Sequence, residues 1–208
     1  MSVNIVTGMT GQAHITSDDD RIRNAYYIGK DKYVFDFGHN LEANILNNNL
    51  VRIQDGMLVN QGTQIGIELT DYEDVIIENG LSGVNRNDLI VMRYEKEADT
   101  GLESGKLVVI KGTSGATATD PEYISGNIID GGDLIDDMPL YRVRIESLSI
   151  VAVEPLFTLY HMPEIATEET IDEMWGNPLP SGSQGLVLNV AGLQATKNTA
   201  PVVNFVIE

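Results

Sequence analysis

The chain has 208 residues, with 13 Lys and Arg against 31 Asp and Glu, a formal net charge of −18. That balance leaves no Lys/Arg face with which to release counterions from nucleic acid, and an anionic membrane surface would repel it. Cysteine is absent, which removes disulfides, thiol nucleophiles and cysteine zinc sites, while 42% hydrophobic residues are enough for a packed core. Apolar runs such as Leu107-Val108-Val109-Ile110 fall far short of the about 20 residues that span a bilayer. No positive and apolar leader opens the chain. The expectation is a soluble, acidic protein of one or two domains made in the cytoplasm.

In chain order, the first element is a short helix. Ser17 reads as its N-cap, Asp18, Asp19 and Asp20 sit where the helix dipole favours carboxylates, and Gly29 closes it. Ile22, Ala25 and Tyr26 would share its apolar face. Strands rich in Val, Ile and Tyr follow at Leu50–Gln54, Met57–Gln61, Gln64–Leu69, Asp74–Glu78, Asp88–Tyr94 and Lys106–Lys111. Asp55-Gly56 reads as a hairpin turn, because glycine tolerates the positive φ such turns need. A second hairpin, with a longer polar loop, spans Glu95 to Gly105. Gly112 to Asp120 is a small-residue connection. Further strands are expected at Leu140–Glu146, Ser149–Glu154, Gly185–Val190 and Val202–Ile207. Between them lie an acidic helix, Thr167 to Trp175, and a stiffer linker, Asn177 to Ser183. No Lys or Arg occurs from Ile145 through Thr196. The whole reads as an all-β fold, mainly antiparallel and sandwich-like or barrel-like, with two short helices. A β-rich part would cover residues 1–160, and a helix, linker and hairpin-like segment residues 161–208.

Motifs that would carry chemistry are near-misses. Asp99-Thr100-Gly101 spells an aspartic-protease tripeptide but follows a charged run, as an exposed turn would. Gly101 to Lys106 is one residue short of a phosphate loop, and Leu107 replaces the hydroxyl that would reach magnesium. His14, His39 and His161 are scattered. Asp130, Asp133, Asp136 and Asp137 form the best calcium candidate, since hard oxygens suit that ion. They lack the EF-hand order, however, and a solvated acidic loop is the preferred reading. No cofactor is expected.

The run Val6-Thr7-Gly8-Met9-Thr10-Gly11-Gln12-Ala13-His14-Ile15-Thr16-Ser17-Asp18-Asp19-Asp20 resembles the opening of tail or baseplate structural proteins of phages and prophages of Gram-positive bacteria. The resemblance continues through Asn49 to Gly56, Tyr72 to Gly80, Arg86 to Tyr94, Lys106 to Gly112 and Asp137 to Val143. Thr167 to Gly176 is similar to a short acidic element of such tail proteins. Relatives run on into long fibre or receptor-binding regions, whereas this chain ends about thirty residues after the helix, which favours an adaptor or short fibre.

The resemblance implies a non-enzymatic virion component, assembled in the host cytoplasm. It would contact other tail or baseplate proteins, with host surface glycans engaged indirectly, and neither bind nucleic acid nor insert in a membrane. A homotrimer is expected, because the apolar residues Ile171, Met174, Trp175, Val187, Val203 and Phe205 sit on elements too small to stand alone. The N-terminal 28 residues are expected to contribute to attachment. A carbohydrate-binding module and a polysaccharide hydrolase are the alternatives; eight tyrosines supply aromatics for the former, with no evident grouping.

Overall fold

The computed structural model describes residues 6–7 and 15–161, together with the backbone of residues 188–190, 193–197 and 203–207. The chain separates into two compact units, Met1–His161 and Met162–Glu208. Among the described residues the fold is mainly β, with antiparallel sheets and two helices.

The first unit opens with α1 (Ser17–Ile28). Its N-cap is Thr16, one residue before the expected Ser17, because Thr16 and Asp19 close a capping box: each side chain takes the other's backbone N–H. Gly29 ends the helix, its N–H donating to the Ala25 carbonyl. The expected apolar face is not buried. Ile22 is exposed and Tyr26 is 86% exposed, whereas Arg21 is the buried residue. A polar anchor fixes this helix: Arg21 bonds Thr63 at 2.7 Å and Glu103 at 2.8 Å, pairs with Asp18 and lies over the Tyr94 ring.

β1 (Lys32–Phe35), β2 (Ala43–Asn47), β3 (Leu50–Asn60), β4 (Thr63–Ile76) and, beyond the second sheet in sequence, Leu159–Tyr160 form a five-stranded sheet. The second sheet has four strands in the order β6 (Glu103–Ile110), β5 (Asn85–Lys96), β7 (Ile135–Glu146), β8 (Ser149–Pro155). Leu159–Tyr160, now β9, runs parallel to β1, and every other pairing is antiparallel. A four-residue helix, α2 (Ile128–Gly131), precedes β7. The second unit contributes β10 (Leu188–Val190), β11 (Leu193–Lys197) and β12 (Val203–Ile207), an antiparallel three-stranded sheet. β1, β2, β9, β11 and α2 were not expected from the sequence. Most are short, and Lys32-Tyr33-Val34-Phe35 carries too few alternations to stand out.

Both sheets of the first unit feed one apolar cluster. Val34, Val51, Ile53 and Leu58 come from the five-stranded sheet, and Ile90, Met138, Leu140 and Val143 from the four-stranded one. Each fully buried side chain of this kind contributes roughly 1.5–3 kcal/mol. The Tyr141 hydroxyl of β7 also reaches the β1–β2 connection, donating to the Leu41 carbonyl at 2.9 Å.

The expected hairpin at Asp55-Gly56 is corrected. β3 runs straight through these residues, and the strands expected on either side of Asp55-Gly56 are one strand. The register shifts there instead: Gln54 pairs with Tyr72 and Gly56 with Ile67, leaving Asp55 opposite residues 68–71. This is a bulge, and glycine serves it for the same reason it serves a turn. The β1–β2 connection covers the other side, with the Leu41 N–H donating to the Asp55 carbonyl at 3.1 Å. The true turn is Gln61-Gly62, flanked by the pair Asn60 and Thr63, with φ of 48° and 83° as a primed two-residue turn requires. The segments expected at 64–69 and 74–78 are likewise one strand, β4, bent by that excursion. The Glu95 to Gly105 hairpin is present, with Lys96 pairing Glu103.

A side chain at Gly56 would not fit: its Cβ would lie 2.4 Å from the Leu41 backbone nitrogen. Gly101 also has positive φ but faces open space. Gly56→Ala is therefore expected to lower stability by more than Gly101→Ala, which carries only a left-handed backbone penalty of about 1–2 kcal/mol. Urea-unfolding midpoints of the two variants check this, and equal shifts would contradict it.

Candidate functional site

Two of the four aspartates flagged as a calcium candidate are not in a solvated loop. Asp136 and Asp137 lie in β7 and are fully buried, whereas Asp130 and Asp133 are exposed. Each has its own partner. Asp130 takes Lys30 at 2.9 Å, and Asp133 takes the Asn127 N–H at 2.7 Å. Arg93 grips Asp137 with two bonds of 2.7 and 2.9 Å, and the Ile124 N–H adds a third at 3.0 Å. Asp136 collects Lys32 Nζ at 2.7–2.8 Å, Asn60 Nδ2 at 2.7 Å and the Gly126 N–H at 2.7 Å, with Gln61 Nε2 at 3.5 Å. Neighbours in sequence point to opposite faces of a strand, so the two carboxylates serve separate sites. Among the described residues no three His, Cys, Asp or Glu converge as a metal-holding group.

Asp136 therefore anchors a buried polar centre that spans both sheets. Lys32 comes from β1, Asn60 from β3 and Asp136 from β7, and Gln61 extends the network by bonding the Gly126 carbonyl and the Ile128 N–H. Lys32 Nζ also donates to the Asp137 carbonyl at 2.8 Å. Asn60 is fully buried, and its Oδ1 has no hydrogen-bond partner among the described residues. No sequence signal links Lys32 and Asn60 to Asp136, which stand 104 and 76 positions away.

A second polar centre lies at the bulge. His39 Nδ1 contacts Asp55, which is buried, and this hydrogen bond holds the Asp55 carboxyl below its ordinary range. Asn40 and Leu41, both at φ 56°, and Thr70 at φ 72° flank it. At the end of β9, His161 Nδ1 contacts Asp36 at 2.9 Å. His14 lies outside the described residues.

β4 is an outer strand of the five-stranded sheet. It pairs with β3 along one edge, and among the described residues no strand pairs with its other edge. Residues 68–74 are all exposed, and Leu69, Tyr72 and Ile76 (72% exposed) are presented to solvent. Arg52 stiffens this face. Its guanidinium lies 3.5 Å from the Tyr72 ring centre and makes two bonds of 2.7 and 2.8 Å to Asp74. Glu68, Asp71 and Glu73 add negative charge along the same stretch. Toward the edge of the sheet opposite β4, on β1 and β9, three half-buried aromatics group together: Tyr160 lies 5.7 Å from Tyr33 and 6.0 Å from Phe35, ring centre to ring centre. The sequence offered no sign of this grouping because Tyr160 joins through the unexpected β9.

Asp99 is exposed at the β5–β6 turn, and Lys106 forms a surface pair with Glu95. Of the expected contact residues, Ile171, Met174, Trp175 and Val187 lie outside the described residues, as does the Thr167 helix. Val203 and Phe205 fall on β12, opposite Lys197 and Ala195 of β11. No helix among the described residues is long and apolar enough to cross a membrane. No protein-family model matches the chain, and no curated protein matches it.

Removing Asp137 strands the Arg93 guanidinium, which is only 20% exposed. Asp137→Ala is expected to lose roughly 3 kcal/mol, the lower end of the range for breaking a buried pair because Arg93 retains some water. Chemical unfolding measures it, and a loss below about 1 kcal/mol would contradict the assignment.

Acid should destabilise the fold through a second set of carboxylates. His39 lowers Asp55, and Arg142 hydrogen bonding lowers Asp120. Burial pushes Glu103 up, but its Arg21 and Lys96 partners outweigh that and leave it lowered. A carboxylate lowered in the folded state adds stability above its unfolded pKa, and that stability is lost as pH falls through the folded value. Urea midpoints are expected to be flat from pH 7 to 5 and to drop below about pH 4. A midpoint that rose at pH 3 would contradict this.

Proposed function

We propose that the chain is a non-enzymatic structural component of a phage tail or baseplate, an adaptor or short fibre that links the tail to other fibre or receptor-binding parts. One observation carries the reading furthest: β4 offers an edge that no strand among the described residues pairs with, and Leu69, Tyr72 and Ile76 are exposed beside it. Exposed edges of this length are templates for strand addition and are covered in stable proteins. The four acidic residues of residues 68–74 favour a partner strand that carries Lys or Arg. The resemblance of the sequence to Gram-positive phage tail proteins supplies the biological setting, a virion part assembled in the host cytoplasm. The ion pairs add to the reading, because Asp136, Asp137, Glu103 and Asp120 are each engaged by basic side chains in holding the fold.

Direct glycan recognition is the second reading. It is favoured by the Tyr33, Phe35 and Tyr160 group, which has Asp31 within hydrogen-bond reach of Tyr33 and the Asp36–His161 pair nearby in sequence. Aromatic faces beside carboxylates suit sugar rings and their hydroxyls.

Immunogold electron microscopy of phage particles is expected to place the protein in the tail, and Leu69→Lys with Ile76→Lys, two exposed positions of β4, is expected to cut its incorporation at least tenfold without lowering its own stability. Label elsewhere, or normal incorporation of the double variant, would overturn the reading; specific retention on a glycan array would favour the second one. The expected oligomer is a homotrimer built partly through residues 164–208. Sedimentation equilibrium is expected to give three times the chain mass for the full protein and a monomer for a chain ending at Pro163. A full-length monomer at micromolar concentration would contradict self-association.

A further inference from the structure

We propose that Lys32 and Asn60 become joined by an intramolecular amide bond, with Asp136 as the catalytic acid–base. The two residues face each other directly on the antiparallel strands β1 and β3, where side chains opposite one another stand about 4.5–5.5 Å apart at Cβ. Asp136 reaches in from the other sheet, and a single oxygen, Oδ2, lies 2.7 Å from Lys32 Nζ and 2.7 Å from Asn60 Nδ2. A nucleophile, an acyl group with a leaving amine and a proton carrier are thus held on one atom. Asn60 and Asp136 are fully buried, so water is excluded from the acyl centre. Lys32 keeps 25% side-chain exposure, which leaves a way out for a small product.

Asn60 is the informative residue. A buried amide oxygen without a partner is costly and calls for an explanation. A purely structural asparagine at this position would be expected to satisfy both ends of its amide. Here the amide is instead held by its nitrogen against the carboxylate, the end that must be protonated for it to leave.

The step balances within these three residues. Asp136 takes a proton from the Lys32 ammonium, and the freed Nζ lone pair attacks Asn60 Cγ, opening its C=O to a tetrahedral centre. A proton from Nζ and the one held by Asp136 pass to Nδ2. The Cγ–Nδ2 bond breaks as the C=O re-forms, and ammonia leaves as ammonium. The product is a Cγ–Nζ amide with Asp136 ionised again. No oxidant, metal or cofactor is consumed, and each molecule reacts once. The bond would tie β1 to β3 covalently, a strand pair that otherwise shares only a short register. In a part that bears load along a tail, such a tie would prevent β1 from peeling away.

Intact-mass spectrometry of the purified full-length protein tests this. The wild type is expected to weigh less than its sequence by one ammonia, and Asp136→Asn and Lys32→Arg are expected to restore the full mass. Loss of ammonia at Asn79-Gly80 through a cyclic imide would give the same mass, so the linkage must also be located. Trypsin is expected to release one species joining residues 31–52 to residues 53–86 through Lys32 and Asn60, with cleavage after Lys32 blocked. This digest needs only wild-type protein and stands even if the variants fail to fold. Full sequence mass in the wild type, or an ammonia loss that persists in Lys32→Arg or maps to Asn79, would overturn the proposal.

Discussion

The carboxylate of Asp136 sits, fully buried, where β1 and β3 of one sheet meet β7 of the other, and it collects a lysine, an asparagine and a loop N–H. An ionised carboxylate in such a place is tolerable only if its lone pairs are filled, and the cost of leaving them empty is several kcal/mol. That demand fixes more than one contact. It sets β1 beside β3 at Lys32 and Asn60, and it draws residue 126 onto the sheet. With Gln61 bonding residues 126 and 128, it also aligns the β3–β4 turn with α2. Asp137 does the same one residue later, pulling Arg93 of β5 and the Ile124 N–H together. The long connection between β6 and β7 is therefore held by two adjacent side chains of β7, where its own small residues would give it little reason to order.

Polar anchoring recurs at the edge of the molecule. α1 is docked by Arg21 with its Glu103 and Thr63 partners, while Tyr26 stays in water. The apolar core, by contrast, is conventional, with Val, Ile and Leu from both sheets interdigitating. Hydrophobic burial thus supplies most of the stability, and buried ion pairs choose which loops and which helix face lie against it. A strongly acidic chain suits this arrangement, since Lys32 and Arg93 are spent on buried carboxylates while carboxylates in excess of the basic residues remain outside to repel non-specific contacts. β4 stands out against that surface because it exposes apolar side chains and an open edge together.

The all-β character was legible because alternation of Val, Ile and Tyr with polar residues is a local signal, and the β5–β6 hairpin and β7–β8 pair followed from it. Asp55-Gly56 misled because a glycine that relieves a bulge and a glycine that makes a turn look alike in sequence. The decisive fact, the approach of Leu41, comes from a different strand connection. α1 was located by its carboxylates and Gly29, but its buried face was inverted, since a buried arginine contradicts the rule that apolar residues face inward. The acidic run at 130–137 was read as solvated for the same reason. Only the third dimension shows that Lys32, Asn60 and Arg93 wait for it. The residues that matter most to the polar centre are thus those whose partners are farthest away in the chain.

Amide hydrogen exchange at Gly126 and Ile124 tests most directly whether buried aspartates organise this fold. Both residues lie outside any helix or strand, and their N–H groups donate to Asp136 and Asp137. They are expected to exchange as slowly as core β5 amides such as that of Leu89, through global unfolding alone. Exchange as fast as that of the exposed Asp99-Thr100-Gly101 turn would show that the carboxylates do not hold the loop.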